Sequence, residues 1–150
     1  MRVSKKGYRI IDIATADMAF EAFGKNLSEL FENCAFAFNA IMLEIKGIKP
    51  AAKKKIRIES EDLKALLFDF LSELIFLKDT NGLIFSKYKI AVSEKNGRYI
   101  LQGEIFGEKW DRKKHDIWMD IKAMTYSEME IDKLKKGKSE YWRAQGVVDT

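Results

Sequence analysis

Apolar residues recur along Leu27–Met42 at a spacing that a helix brings to one side. Leu27, Leu30, Phe31, Cys34, Phe38, Ile41 and Met42 fall three or four positions apart. Asn26 precedes the stripe and can cap its first free N–H groups, with Glu29 at the reciprocal position of a capping box. A second stripe (Leu63, Leu66, Leu67, Phe70, Leu71, Leu74, Ile75) predicts a helix over 63–77. Ser60 is its expected cap, and Glu61 and Asp62 lie in a first turn whose dipole favours acids. Asp79-Thr80-Asn81-Gly82 supplies the turn chemistry that closes it.

Elsewhere the pattern has the period of strands. Residues 8–13 are mostly apolar and β-branched, and 18–23 resume the pattern after Thr15-Ala16-Asp17. A lone acid between two strands is ordinarily a turn residue whose carboxylate accepts a local N–H, and that is the bland reading of Asp17. Residues 46–55 form a connector with Gly47, Pro50 and a solvated run of Lys53, Lys54 and Lys55; a short half-buried strand follows over 55–59. Over 83–106, Tyr88, Ile90 and Val92 share one face, and Tyr99, Leu101 and Ile105 line a returning strand. Asn96-Gly97 between them tolerates the positive φ of a type I′ hairpin turn. Residues 109–115 predict a polar loop, 118–126 a strand, 130–139 a charged turn region and 141–149 the last strand. Two helices and seven or eight strands, the strands mostly in runs, predict an α+β fold. The expectation is a single domain over 1–150: largely antiparallel sheet with two main helices packed on it.

Composition narrows the function classes. A chain of 150 residues suits one domain, and 47% hydrophobic residues suffice for a globular core. The balance of 27 basic against 23 acidic residues permits an anionic partner without requiring one. Cys34 is the sole cysteine, which excludes an internal disulfide or a cysteine-based zinc site and points to a reducing, cytoplasmic setting. Its place on the first helical stripe makes it a structural thiol. No apolar run approaches the ~20 residues of a membrane span, so no membrane partner is expected. The chain has no Gly-rich loop ending in Lys-Ser/Thr, no Gly-x-Ser-x-Gly and no His-Glu-x-x-His.

Two places remain as candidate chemistry. His115, the only histidine, has Asp111 four residues before it and Asp116 beside it. An acid there could orient the imidazole for proton transfer or metal binding; a solvated histidine in a charged loop is the plainer alternative. The end of the chain carries Asp149 at the tip of an apolar strand, with the Thr150 carboxylate next to it. If Asp17 is near, three negative groups converge and call for a cation. Oxygen-only ligation suits Ca²⁺, Mg²⁺ or Mn²⁺.

Several segments, in order, resemble the archease family. Thr15-Ala16-Asp17 followed by Ala22-Phe23-Gly24 is similar to its N-terminal signature, and Leu30-Phe31-Glu32-Asn33-Cys34-Ala35 to its first helix. Leu71-Ser72-Glu73-Leu74-Ile75-Phe76, Asp79-Thr80 and Leu83-Ile84-Phe85-Ser86 resemble the second helix and its exit. Gly107-Glu108, His115 and Lys122-Ala123-Met124-Thr125-Tyr126 resemble the central block, and Trp142, Ala144 and Val148-Asp149 the end. The resemblance implies a cytoplasmic α+β accessory protein that assists the GTP-dependent RNA ligase of tRNA splicing. That ligase joins 2′,3′-cyclic-phosphate or 3′-phosphate ends to 5′-hydroxyl ends. The accessory protein promotes its guanylylation and multiple turnover and does not itself ligate. The resemblance also implies a divalent cation, Ca²⁺ ahead of Mn²⁺ or Mg²⁺, at positions matching Asp17, Asp149 and Thr150. Asp111, Lys114, His115 and Lys122 are the candidate partner or functional contacts. RNA is expected to be met through the ligase. Three residues depart from the family pattern. Ala14 stands where His is common, and Thr150 where the last residue is usually aliphatic. Gly146 replaces a β-branched residue, at an expected cost of about 0.5–1 kcal/mol in backbone entropy. Two other functions fit the residues: a direct RNA-binding module using Lys53–Lys55 and 109–114, and a metal-dependent hydrolase using the same carboxylates.

Overall fold

A computed structural model describes residues 7–14 and 17–150, the side chains of 13 and 14 excepted. Thr15 and Ala16, and the side chain of Ala14, therefore lie outside the described residues. The elements run β1 (Tyr8–Ala14), β2 (Asp17–Gly24), α1 (Leu27–Met42), a 3₁₀ turn at Ile45–Gly47, β3 (Ala52–Ser60) and α2 (Leu63–Asn81). β4 (Leu83–Lys95), β5 (Arg98–Lys109), β6 (Ala123–Lys136) and β7 (Ser139–Asp149) follow. The strands make two antiparallel sheets, one in the order β1-β2-β7-β6 and one in the order β3-β5-β4. The fold class is α+β, as the pattern of runs predicts.

Each helix touches both sheets. α1 lies against β1, β2 and β7 of the first sheet and β4 of the second; α2 lies against β6 of the first and β3, β4 and β5 of the second. This is why α1 buries more than one stripe: Ala35, Ala37 and Asn39 are covered as well as Leu30, Phe31, Cys34 and Phe38. The rings of Phe31 and Phe70, 6.4 Å apart, join the two helices inside one continuous core. Asn39 is a polar residue buried beside it. β4 shifts register between Phe85 and Lys87, and the Asn39 side-chain amide donates to the Phe85 carbonyl at 2.8 Å and to the Tyr88 hydroxyl. A buried amide with both partners in place fixes the helix relative to the strand.

Asn26 caps α1 as expected, its side chain accepting from the Glu29 N–H at 2.9 Å; the Glu29 carboxylate reaches back to the Lys25 N–H at 3.2 Å. The cap of α2 is Asp62, which accepts from the Ala65 N–H at 2.8 Å, and not Ser60. Ser60 ends β3, buried, and donates to Asp69 at 2.8 Å. α2 also runs four residues past the expected end, through Asp79, Thr80 and Asn81. Gly82 stops it at φ 66°, its N–H donating to the Leu77 and Lys78 carbonyls.

Three further expectations change. The lysine run belongs to β3, which begins at Ala52, and not to a connector. Residues 118–122 are not strand; Trp118 instead donates its N–H to the Met42 carbonyl at the end of α1, at 2.7 Å. Residues 130–136 are strand and not turn, with the tight turn confined to Gly137 and Lys138. β6 is an edge strand, and charges along a sheet edge discourage pairing with other chains.

Candidate functional site

Side chains two apart on a strand share a face, so Asp17, Ala19 and Glu21 of β2 point away from the core that receives Met18, Phe20 and Ala22. β7 lies antiparallel to β2 with Asp149 directly opposite Asp17 and Val147 opposite Ala19. On the other flank of β7, Ala123 of β6 is opposite Asp149. Directly opposed residues have Cβ atoms about 4.5–5.5 Å apart, and like charges in such a pair destabilise it. Asp17 is half-buried and Asp149 exposed. Among the described residues no lysine, arginine or histidine forms a salt bridge with either carboxylate. The Lys122 N–H donates to the Asp149 carbonyl at 2.8 Å, which brings the end of the long loop to the same place. Asp17 is thus the first residue of a strand with a defined cross-strand neighbour, more than an isolated turn residue.

The acid pair meets a simple chemical test for a divalent cation. Its donors are all oxygens, they are paired at one sheet end, and among the described residues no cation is salt-bridged to them. The side chains alone supply two donors, and no group of three or more His, Cys, Asp or Glu side chains suited to a metal is found among the described residues. A third donor has to come from backbone oxygen, and Thr150 is adjacent in the chain.

Farther along the outer face, Glu21 shows the opposite solution to a buried acid. It is only 5% exposed, bracketed by Arg9 at 2.7 Å and Arg143 at 2.5 Å. Burial pushes its carboxyl up; the hydrogen bonds and charges of Arg143 and Arg9 outweigh that and leave it below the usual range. Arg143 continues to Glu130 at 3.2 Å and to Gln145 at 2.9 Å, tying β2, β7 and β6 together.

The loop after β5 carries His115, which is 3% exposed and not solvated. Its Nδ1 accepts from the Asp111 N–H at 2.9 Å, so the proton resides on Nε2 and is donated to Glu108 Oε2 at 2.9 Å. The Asp111 carbonyl takes the Lys114 and His115 amides, closing a tight turn around the ring. Glu108 also receives Lys114 Nζ at 2.6 Å and the Lys49 N–H at 2.6 Å. The Lys114 hydrogen bond first, and then the Lys49 amide, hold its carboxyl down at about 2; partial burial opposes them and His115 adds a smaller pull. Beside the ring is a cleft of about 550 Å³ lined by Trp110, Arg112, Asp116 and Asp120. Lys78, at the end of α2, bridges Asp79 and Asp120 and donates to the Ile121 carbonyl at 3.1 Å. A larger and more apolar groove of about 650 Å³ lies elsewhere, between Tyr8 and Ile10 of β1, Phe36 and Trp118.

Of the candidate residues, then, Asp17, Asp149, Thr150 and Lys122 share one end of the first sheet, while Asp111, Lys114 and His115 form a separate cluster on Glu108. Sequence reasoning gave Glu108 and Lys78 no role of their own. Neither has a periodic signal: Glu108 meets its partners across a loop, and Lys78 sits in a helix turn that resembles solvated surface.

Two helices held between antiparallel sheets, with two acids opposed at one sheet end, define a small α+β protein. The chain belongs to the archease family: the model of the archease protein family (MTH1598/TM1083) matches residues 8–150. The protein archease of Pyrococcus furiosus is 39% identical over 135 residues, covering 90% of this chain and 93% of that one. That of Methanosarcina barkeri is 38% identical over 145 residues, 96% of each chain. The solution structure of Methanobacterium thermoautotrophicum protein 1598 superposes with a TM-score of 0.80 at 33% identity, over 97% of this chain and 99% of the other. A crystal structure from Thermotoga maritima, described as an archease and possible chaperone, shares the fold at a TM-score of 0.58 and 21% identity, over 91% and 93%. Among the described residues no helix is long and apolar enough to cross a membrane.

Proposed function

We propose that this chain is a cytoplasmic accessory protein that activates the GTP-dependent RNA ligase of tRNA splicing, without ligating RNA itself. It promotes guanylylation of the ligase and lets it turn over repeatedly. The observation that carries this reading is the direct opposition of Asp17 and Asp149, with neither carboxylate salt-bridged to a cation among the described residues. Asp17, Asp149 and the Thr150 carboxylate would hold a divalent cation, Ca²⁺ ahead of Mn²⁺ or Mg²⁺. Such a cation would supply charge neutralisation and open oxygen-binding positions. Calcium takes roughly six to eight oxygens, so three protein donors leave room for oxygens of a partner. Lys122 borders the acids, and Lys114, Asp111 and His115 set the shape of the loop that leads to them. These four are the proposed contacts with the ligase.

An activator acts only by binding the competent state of its target more tightly than the idle one. The test is a multiple-turnover assay with limiting ligase, GTP, Mn²⁺ and RNA halves bearing a 3′-phosphate and a 5′-hydroxyl. Wild type raises the turnover number at substoichiometric amounts and joins nothing alone; Asp17→Ala does not raise it. No increase with wild type and the cognate ligase overturns the proposal. Joining or hydrolysis without ligase would make the chain an enzyme.

A further inference from the structure

The outer face of the second sheet carries a surface that the acid pair leaves unexplained. Register aligns three rows across it: Lys53–Phe106–Lys87, Lys55–Glu104–Lys89 and Arg57–Gln102–Ala91. These positions alternate with Ile56, Tyr88, Ile90, Leu101 and Ile105, which are buried on the core side. Five cations therefore share a face with a single acid inside the rows. Glu104 takes Lys53 at 3.2 Å, and Glu59, one row beyond, takes Arg57 at 3.5 Å and Arg98 at 3.0 Å. Lys55, Lys87 and Lys89 form no salt bridge with a carboxylate among the described residues. In the central strand stands Phe106, half-buried on an otherwise polar face, with Lys87 Nζ at 5.2 Å and Lys89 Nζ at 5.9 Å from its ring centre.

We infer that this face binds single-stranded nucleic acid, with Phe106 as the stacking platform and Lys55, Lys87 and Lys89 on the phosphates. The charge suits a polyanion, and the ring selects among polyanions. A base can take the face of Phe106, whereas a carboxylate is repelled by the negative face of an aromatic ring. Cations held over a half-buried surface ring are held weakly, and lysine stems are flexible, so Lys87 and Lys89 can swing to phosphates as a base arrives. A duplex keeps its bases stacked and offers the ring nothing; an unpaired strand offers both groups at once. Rows two residues apart on a strand repeat at about 6.8 Å, giving a track along β4 for the backbone.

The test needs no ligase, so its outcome is independent of the proposed activation. A short fluorescein-labelled oligouridylate is titrated with the full chain by anisotropy across a series of potassium chloride concentrations. Wild type binds, with a log–log salt slope of about −2 for three phosphate contacts. Lys87→Glu with Lys89→Glu abolishes binding. Phe106→Leu, which keeps an apolar side chain but no ring, weakens binding about 5- to 150-fold with the slope unchanged, the loss of one stacked base. Phe106→Trp keeps wild-type affinity or better. Unlabelled oligouridylate displaces the probe and polyglutamate does not. An unaltered affinity in Phe106→Leu, or displacement by polyglutamate as effective as by RNA, makes the face an acidic-protein surface and overturns the inference. So does an absence of binding at low salt.

Discussion

Gly146→Ala tests the packing of the first sheet at its tightest place. Gly146 sits opposite Phe20 on the core side, and a Cβ added there would lie 2.7 Å from Phe20 Cζ and 2.8 Å from Cε2. Phe20 is fully buried, so its ring has no open side to retreat to. Two effects oppose each other. Replacing glycine in a strand removes chain entropy from the unfolded state, worth about 0.5–1 kcal/mol in favour of alanine. Overpacking a closed core costs about 1–3 kcal/mol. The net expectation is a loss near 1 kcal/mol, which at a urea slope of about 2 kcal/mol/M lowers the midpoint by about 0.5 M with the slope unchanged. In a Phe20→Leu background the obstruction is gone and only the entropic gain remains, so Gly146→Ala should become neutral or stabilising there. The coupling between the two sites is then at least about 1 kcal/mol. A midpoint that rises in the wild-type background, or effects that add, would show that the glycine is an ordinary weak point in the strand.

Two other expectations concern charge. Millimolar Ca²⁺ or Mn²⁺ should raise the melting temperature of wild type by mass action, and Asp17→Asn or Asp149→Asn should remove most of that rise; a wild-type melting temperature indifferent to both metals removes the cation site. Glu108, at about 2 in the folded chain against an ordinary 4.5, contributes stability that is fully present above 4.5 and lost as pH falls towards 2. Glu21 is also depressed, so the comparison is with Glu108→Gln. The gap in melting temperature between wild type and this variant should close between about pH 4.5 and about pH 2, and a gap that stays constant contradicts the assigned contacts.

The helices were legible because their stripes are long and Asn26-x-x-Glu29 marks a start by local chemistry alone. The β4–β5 hairpin was legible for the same reason, at Asn96-Gly97. Local chemistry misled where two candidates competed: Ser60 and Asp62 can both cap, and tertiary burial of Ser60 against Asp69 leaves the role to Asp62. The strand over 130–136 was hidden because an edge strand facing water on one side carries the same charges as a turn. The glycine at 146 looked like a weakness because its reason, Phe20, is 126 positions away in the chain. Asp17 and Asp149 stand 132 positions apart, and no local pattern could pair them; the ordered family segments supplied that expectation, and the β2–β7 register gives it a structural basis. His115 was placed in the right loop with the wrong exposure, since the polarity of its neighbours says nothing of the pocket made by Glu108 and the Asp111 turn.

The lone sulfhydryl at Cys34 makes this protein its own clock for unfolding. It is fully buried in α1, and burial pushes its thiol far above the ordinary range, so the native state presents almost no thiolate to an alkylating reagent. Labelling can proceed only through molecules that have opened the core. Where labelling outpaces reclosing, its rate reads the opening rate; where reclosing is faster, it reads the fraction open. Any ligand of the native state, whether a metal ion, an RNA strand or a protein partner, would announce itself as slower labelling at a single atom, with no probe attached to the chain.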